Sequence, residues 1–177
     1  INLGLDLQGG SYLLLEIDNG PVEIQKLQNT TTVIRNFLKD KKISFNDLRI
    51  EDKKIIFSIS NDNIELVQSF FLDKESDINP YYFQYKSHQF DVEIQNNEFS
   101  LTLSKYGLIE IKTSSQDQAL EIVRRRVDEV GTNEPNILKR GNNRILVELP
   151  GLDDPMRIKS LLGKTANLTF RFVTQNN

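Results

Sequence analysis

Leu3-Gly4-Leu5-Asp6-Leu7-Gln8-Gly9-Gly10 runs straight into Ser11-Tyr12-Leu13-Leu14-Leu15-Glu16-Ile17, and the reading of these residues decides the fold. Two adjacent glycines open onto a mostly apolar, β-compatible run, the pattern of a sharp backbone feature feeding a buried strand. Gly9-Gly10 tolerates positive φ and lets another chain approach closely, so a tight bend or a close contact would require it. A phosphate-cradling loop is the sharper alternative, and the residues argue against it. The stretch holds neither G-x-x-x-x-G-K-[ST] nor G-x-G-x-x-G, and no helical pattern begins directly after the glycines.

Downstream, short elements follow one another closely. Asp18-Asn19-Gly20-Pro21 combines a turn with a helix start, Pro suiting the first helical position. Ile24, Leu27, Thr31, Ile34 and Leu38 then recur at helical spacing and predict one helix to about Lys41. Residues 45–50 and 54–60 predict a hairpin around Glu51-Asp52-Lys53-Lys54, with Ile55, Phe57 and Ile59 alternating. Asn61 is placed to cap a second helix carrying Ile64, Val67, Phe70 and Phe71. Tyr81 to Tyr85 predicts a strand. Phe90, Val92 and Ile94 pair with Phe99, Leu101 and Leu103 in a hairpin that turns at Asn96-Asn97.

Leu108, Ile109 and Ile111 read either as a short strand or as the start of a helix capped by Ser104. From Ser115 onward the helix is clear, through Ala119, Leu120, Val123, Val127 and Val130 to a stop at Gly131. Started at Lys105, it would be roughly 39 Å long. Asn136–Leu138 and Arg144–Leu149 predict a hairpin about Gly141-Asn142-Asn143. Asp153 or Asp154 then caps a short helix with Pro155 near its start, Gly163 closing it, and Leu168, Phe170 and Phe172 alternate in a last strand.

Residues 106–173 therefore supply α-β-β-α-β, one strand short of a β-α-β-β-α-β unit. Ser11–Ile17, about ninety residues upstream, is the best free strand. The predicted class is α+β: a split ferredoxin-like βαββαβ base of residues 1–17 plus 105–177, with an inserted small α+β domain at 18–104. Lengthening a ten-residue connection to about ninety residues costs only about 2 kcal/mol. Burying several apolar side chains of the strand, at about 1.5–3 kcal/mol each, outweighs that.

Composition narrows the function. Hydrophobic residues at 38%, charged residues at 27% and a mean hydropathy of -0.42 suit a globular domain, and no apolar run approaches a bilayer span. A net charge of -3 argues against nucleic acid as the main partner. The absence of cysteine removes disulfides, zinc-thiolate sites and thiol catalysis, and suits an oxidising compartment. The single histidine, His88, sits in Lys86-Ser87-His88-Gln89, read as a solvated turn with no catalytic partner in view. Asp153-Asp154 reads as helix capping, and Arg124-Arg125-Arg126 as three directions around a helix and not one patch. Tyr81, Tyr82, Phe83 and Tyr85 suggest a binding surface, with inward alternation of a strand as the plainer account. These features predict no enzyme, no metal and no cofactor. Ile1 without a preceding Met, and Asn177 directly after an apolar strand, lead us to expect a piece of a longer chain.

Four motifs in order resemble the SecD family of bacterial protein-translocase subunits. The first is the opening stretch, with Asp6, Gln8, Gly9 and Gly10. The second is Val123-Arg124-Arg125-Arg126-Val127-Asp128-Glu129-Val130-Gly131 with Glu134-Pro135, which includes Arg126 and Gly131. The third is Arg144-Ile145-Leu146-Val147-Glu148-Leu149-Pro150-Gly151. The fourth is Leu161-Leu162-Gly163-Lys164-Thr165-Ala166-Asn167-Leu168-Thr169-Phe170-Arg171-Phe172. We expect structural roles for Asp6, Gln8, Gly9, Gly10, Arg126, Gly131, Glu134, Pro135, Glu148, Pro150, Gly151 and Gly163. Residues 18–104 match only loosely, and the resemblance favours a helix beginning near Lys105. It implies a membrane-anchored protein with a transmembrane segment just before Ile1, this region lying on the periplasmic side. It implies SecF and the SecYEG channel as partners, use of the proton gradient to help complete export, and unfolded preprotein as a further candidate partner. The family's proton-carrying residues and its mobile preprotein-gripping head would lie beyond this stretch. The alternative is a ferredoxin-like small-molecule-binding regulatory domain.

Overall fold

The computed structural model describes residues 11–131, 134–150, 155–163 and 169–173. In chain order the elements are β1 (Ser11–Asp18), α1 (Gly20–Asp40), β2 (Phe45–Glu51), β3 (Lys54–Ile59), α2 (Ile64–Leu72), β4 (Tyr81–Tyr82) and β5 (Ser87–His88). Then come β6 (Phe90–Gln95), β7 (Glu98–Leu103), α3 (Lys105–Val130), β8 (Asn136–Arg140), β9 (Arg144–Leu149), α4 (Pro155–Leu162) and β10 (Thr169–Val173). Contacts divide the chain into two units. One takes the described residues up to Pro21 with those from Ile111 onward, and the other is Val22–Glu110.

In the first unit β1 pairs with none of its sequence neighbours. It lies between β10, with Leu15 opposite Phe172, and β9, with Leu14 opposite Leu146. All ladders are antiparallel and the sheet order is β10-β1-β9-β8. Leu13, Leu15 and Ile17 alternate onto one face, where they meet Ile145, Val147 and Leu149 of β9 and Leu162 of α4. Ala119, Val123 and Val127 complete that core, their four-residue spacing forming one stripe of α3. Leu14 and Leu146 are buried on the opposite face, so the run Leu13-Leu14-Leu15 serves both sides of the sheet. Burial of such side chains, at about 1.5–3 kcal/mol each, brings a strand from the start of the chain to partners beyond residue 143. Gln116, also buried, donates from Nε2 to the Gly141 and Arg144 carbonyls at 3.0 Å each, tying the β8–β9 turn to α3.

The second unit has a sheet of order β2-β3-β7-β6. Leu27, Ile34 and Leu38 of α1 and Val67 and Phe71 of α2 pack against Ile55, Phe57, Ile59, Phe99 and Leu101. Phe57 stacks on Phe99 at 5.1 Å, with Phe71 tilted beside both. Asp52 and Lys53, at φ 49° and 59°, make the β2–β3 turn, and Asn96 at φ 57° makes the β6–β7 turn expected there.

Two expectations need correction. The strand expected over Tyr81–Tyr85 stops at Tyr82. The Tyr85 N–H donates to the Tyr82 carbonyl at 3.1 Å and Lys86 takes φ 51°, so residues 83–86 turn back and β4 pairs with β5. Local aromatic packing replaces cross-sheet alternation: Phe83 meets Tyr81 edge-on at 5.0 Å, and Tyr85 stacks on Tyr106 at 4.6 Å. Asn61 does not cap α2; Asn61–Asn63 forms a 3-10 turn and the helix begins at Ile64. The ambiguous stretch after Ser104 is helical from Lys105.

Candidate functional site

Among the motif residues, Asp6, Gln8, Gly9, Gly10 and Gly151 lie outside the described residues, as does the Asp153-Asp154 pair. The others gather at the junction of α3 with β8 and along β9. Val123 and Val127 of the arginine-rich motif are core residues, while Arg124 and Arg125 are exposed and Arg126 is half-buried. Gly131 stands just past the end of α3 at φ 70°, its N–H donating to the Asp128 carbonyl at 3.1 Å, the conformation that favours glycine after a helix. Glu134 takes φ 52° immediately before Pro135. On the neighbouring strand Glu148 accepts from Asn136 Nδ2 at 3.2 Å, and Pro150 is half-buried beyond the end of β9. Gly163 is a separate case: its N–H donates to the Lys159 carbonyl at 2.8 Å, closing α4.

A groove of about 410 Å³ lies here, with Arg124 and Asp128 of α3 on one wall and Pro135, Asn136, Ile137 and Leu138 on the other. Lys139 pairs with Asp117 nearby on the same two elements. The lining places one charge of each sign, Arg124 and Asp128, beside the exposed Leu138, and its described residues include no nucleophile–base pair.

The second unit carries a tight polar knot, of which the sequence reading named only Ser104, as a candidate helix cap. Asn79 is 0% exposed, and its amide replaces a backbone neighbour. Nδ2 donates to the Phe71 and Phe90 carbonyls at 3.0 and 3.1 Å, and Oδ1 accepts the Phe90 N–H at 2.9 Å. Ser104 caps α3: Oγ accepts the Gly107 N–H at 3.0 Å and donates to the His88 carbonyl at 2.6 Å. Gly107 allows this approach, because a Cβ there would overlap the Gln89 carbonyl oxygen. Two signals pointed to this knot in the sequence: Asn79-Pro80, and a lone glycine inside a helical pattern.

Around the knot sits the aromatic cluster. Tyr81, Tyr82, Tyr85 and Tyr106 are half-buried, whereas Phe83, at the turn, is 65% exposed. His88 is not a free turn residue: it belongs to β5, lies edge-on to Tyr81 at 4.8 Å, and has Nε2 3.0 Å from the Asp73 carbonyl, a contact that needs its proton on that nitrogen. Burial pushes the Tyr82 phenol above its ordinary range, partly offset by the Gln89 amide, which donates to it at 3.0 Å. Among the described residues no group of three or more carboxylates, histidines or cysteines could hold a metal ion, and no helix is long and apolar enough to cross a membrane.

Comparison with known proteins finds two family models on this chain. Residues 116–175 match the N-terminal P1 domain of protein translocase subunit SecDF, and residues 1–20 match the SecD/SecF GG motif. Among curated proteins, the chain is similar to "Protein translocase subunit SecD" of Rickettsia bellii, 33% identical over 99% of this chain and 32% of that protein. The Acetobacter pasteurianus protein of the same name is 36% identical over 99% of this chain and 33% of its own length. The Pseudomonas aeruginosa one is 33% identical over 99% and 27%. The chain thus spans about a third of the length of the curated relatives it matches. No solved structure matches it.

Proposed function

We propose, from the premise that this chain belongs to the SecD family, that it is a non-enzymatic extracytoplasmic module of a protein-translocase subunit. The observation that carries the reading is the match along 99% of the chain to SecD proteins, with the GG-motif model at residues 1–20 and the P1 model at 116–175. In the full-length subunit the module works on the periplasmic side of the membrane, held by flanking membrane segments. It assists export driven by the proton-motive force, with SecF and the SecYEG channel as partners and unfolded preprotein as a further contact.

The fold supports a base and an insertion. With α3 and α4 as the two helices, the order β10-β1-β9-β8 runs as fourth, first, third and second strand of a βαββαβ unit, which supports the ferredoxin-like reading. On this reading the base is residues 1–17 plus 105–177 and the inserted domain 18–104, a division a few residues from the contact boundaries at Pro21 and Glu110. The motif residues hold its geometry, Gly131 and Glu134 through their positive φ and Glu148 through Asn136.

Photo-crosslinking residues placed at Arg125, Leu138 and Phe83 of the full-length subunit, in cells exporting a secreted reporter, test the reading. The expected products are adducts with SecF, a channel subunit or the reporter, formed only during export. Normal export by a subunit lacking this whole region would refute it.

A further inference from the structure

The sheet of the Val22–Glu110 unit has two unlike edges. β2 is blunted: its ladder with β3 shifts register between Asn46 and Arg49, and Asp47 takes φ 53°. Bulges of this kind protect an edge from further pairing. β6 is regular, with Phe90 through Gln95 in unbroken register with Leu103 through Glu98. Its hydrogen bonds reveal which backbone groups face outward. Both the N–H and the carbonyl of Phe90 are taken by the Asn79 side chain, so they point away from β7. In an antiparallel ladder that direction repeats every second residue, which turns the N–H and carbonyl of Val92 and Ile94 outward as well. Asn79 stands in for a neighbouring strand at the first position, and β6 is the last strand in the sheet order.

The side chains along this edge define what would fit. Val92 and Ile94 pack against the core cluster and are themselves half-buried, so part of their apolar surface is uncovered. Asp91 and Glu93 are exposed on the opposite face, and β6 carries no lysine or arginine. A second copy of β6 would bring acid against acid, which is destabilising across strands, whereas opposite charges there are favourable.

We propose that the Val92–Gln95 edge binds an extended segment of another polypeptide as a fifth strand. Its apolar residues would cover Val92 and Ile94, and its lysines or arginines would face Asp91 and Glu93. Main-chain hydrogen bonds supply sequence-tolerant affinity in such strand addition, and alternate side chains supply the preference. This inference goes beyond the export reading and stands without it.

The test uses the whole chain and a short blocked peptide alternating lysine with valine, followed by amide hydrogen exchange. Protection is expected to rise at the Val92 and Ile94 amides. A peptide alternating glutamate with valine should bind roughly tenfold or more weakly, as should Asp91→Lys with Glu93→Lys toward the lysine peptide. Val92→Pro removes an outward N–H without touching the β7 ladder and should abolish binding. Peptides N-methylated on every second residue, in the two alternative phases, keep the test independent of variant folding: one phase should bind and the other should not. Equal binding by both phases, or by the glutamate and lysine peptides, would overturn the proposal. So would protection of the same two amides that grows with protein concentration alone, which would assign the edge to a second copy.

Discussion

Replacing Gly107 with alanine tests how the start of α3 is held. In an ordinary helix the change stabilises by about 0.5–1 kcal/mol, because glycine loses more backbone freedom on folding. Here the new Cβ would overlap the Gln89 carbonyl oxygen, and would lie 3.2 Å from the Gln89 carbonyl carbon and 3.4 Å from Ser104 Oγ. The obstacle is backbone, and it is held from two sides. The Gln89 carbonyl accepts the Ser104 N–H at 2.9 Å, and the Gln89 N–H donates to the Pro80 carbonyl at 2.8 Å. Overpacking against such a group costs about 1–3 kcal/mol. Loosening the Ser104 cap adds about 1 kcal/mol, so the net destabilisation is about 2 kcal/mol. For a unit of this size that lowers Tm by roughly 8–16 °C. Calorimetry of the whole chain, with Ser114→Ala on the exposed side of the same helix as the control, makes the comparison. Ser114→Ala should leave Tm unchanged or slightly higher. A Gly107→Ala protein as stable as the control, or more stable, would refute the close approach.

Three further outcomes are expected. Asn79→Ala removes three buried hydrogen bonds and leaves the Phe90 N–H without a partner, and should cost about 3 kcal/mol in urea unfolding; a loss under about 1 kcal/mol would mean that water replaces the amide. Asp52→Asn with Lys53→Gly supplies the residues that two positive φ values prefer and should raise stability by about 1 kcal/mol, read as a higher urea midpoint at constant m-value. The folded chain holds the Tyr82 proton more tightly than the unfolded chain, so that stabilisation is complete below pH 10.0 and is lost as pH rises through the folded value. Tyr82→Phe should therefore flatten the stability profile above pH 10.0; an unchanged slope there would remove Tyr82 as a cause.

Much of the secondary structure was legible in local pattern. Alternation gave β3, β6, β7 and β9, and helical periodicity gave α1 and the body of α3, because each has one apolar face with a single period. Gly131 and Asn96 were readable for a related reason: positive φ restricts residue type. Tyr81–Tyr85 misled because aromatic residues signal a strand by propensity, yet here the rings pack on one another around a turn. Asn79 and Gly107 went unread because their importance depends on a carbonyl from a distant part of the chain. Asn79-Pro80 and a lone glycine in a helical pattern mark the place, but local sequence does not say what an amide will bond or what a missing Cβ leaves room for.

The sequence by itself determined that Ser11–Ile17 is a strand apolar enough to be buried and that the chain beyond residue 105 was one strand short. It also carried, in four short motifs, the resemblance to the SecD family that the matches at residues 1–20 and 116–175 support. Only the tertiary structure decided that β1 lies between β9 and β10, with Leu14 opposite Leu146. The same holds for β6, left at an edge with Asn79 closing its first position. The reason is physical: a strand's two-residue period shows which side chains share a face, whereas the identity of its neighbour is set by long-range burial and by backbone groups that look alike in every residue.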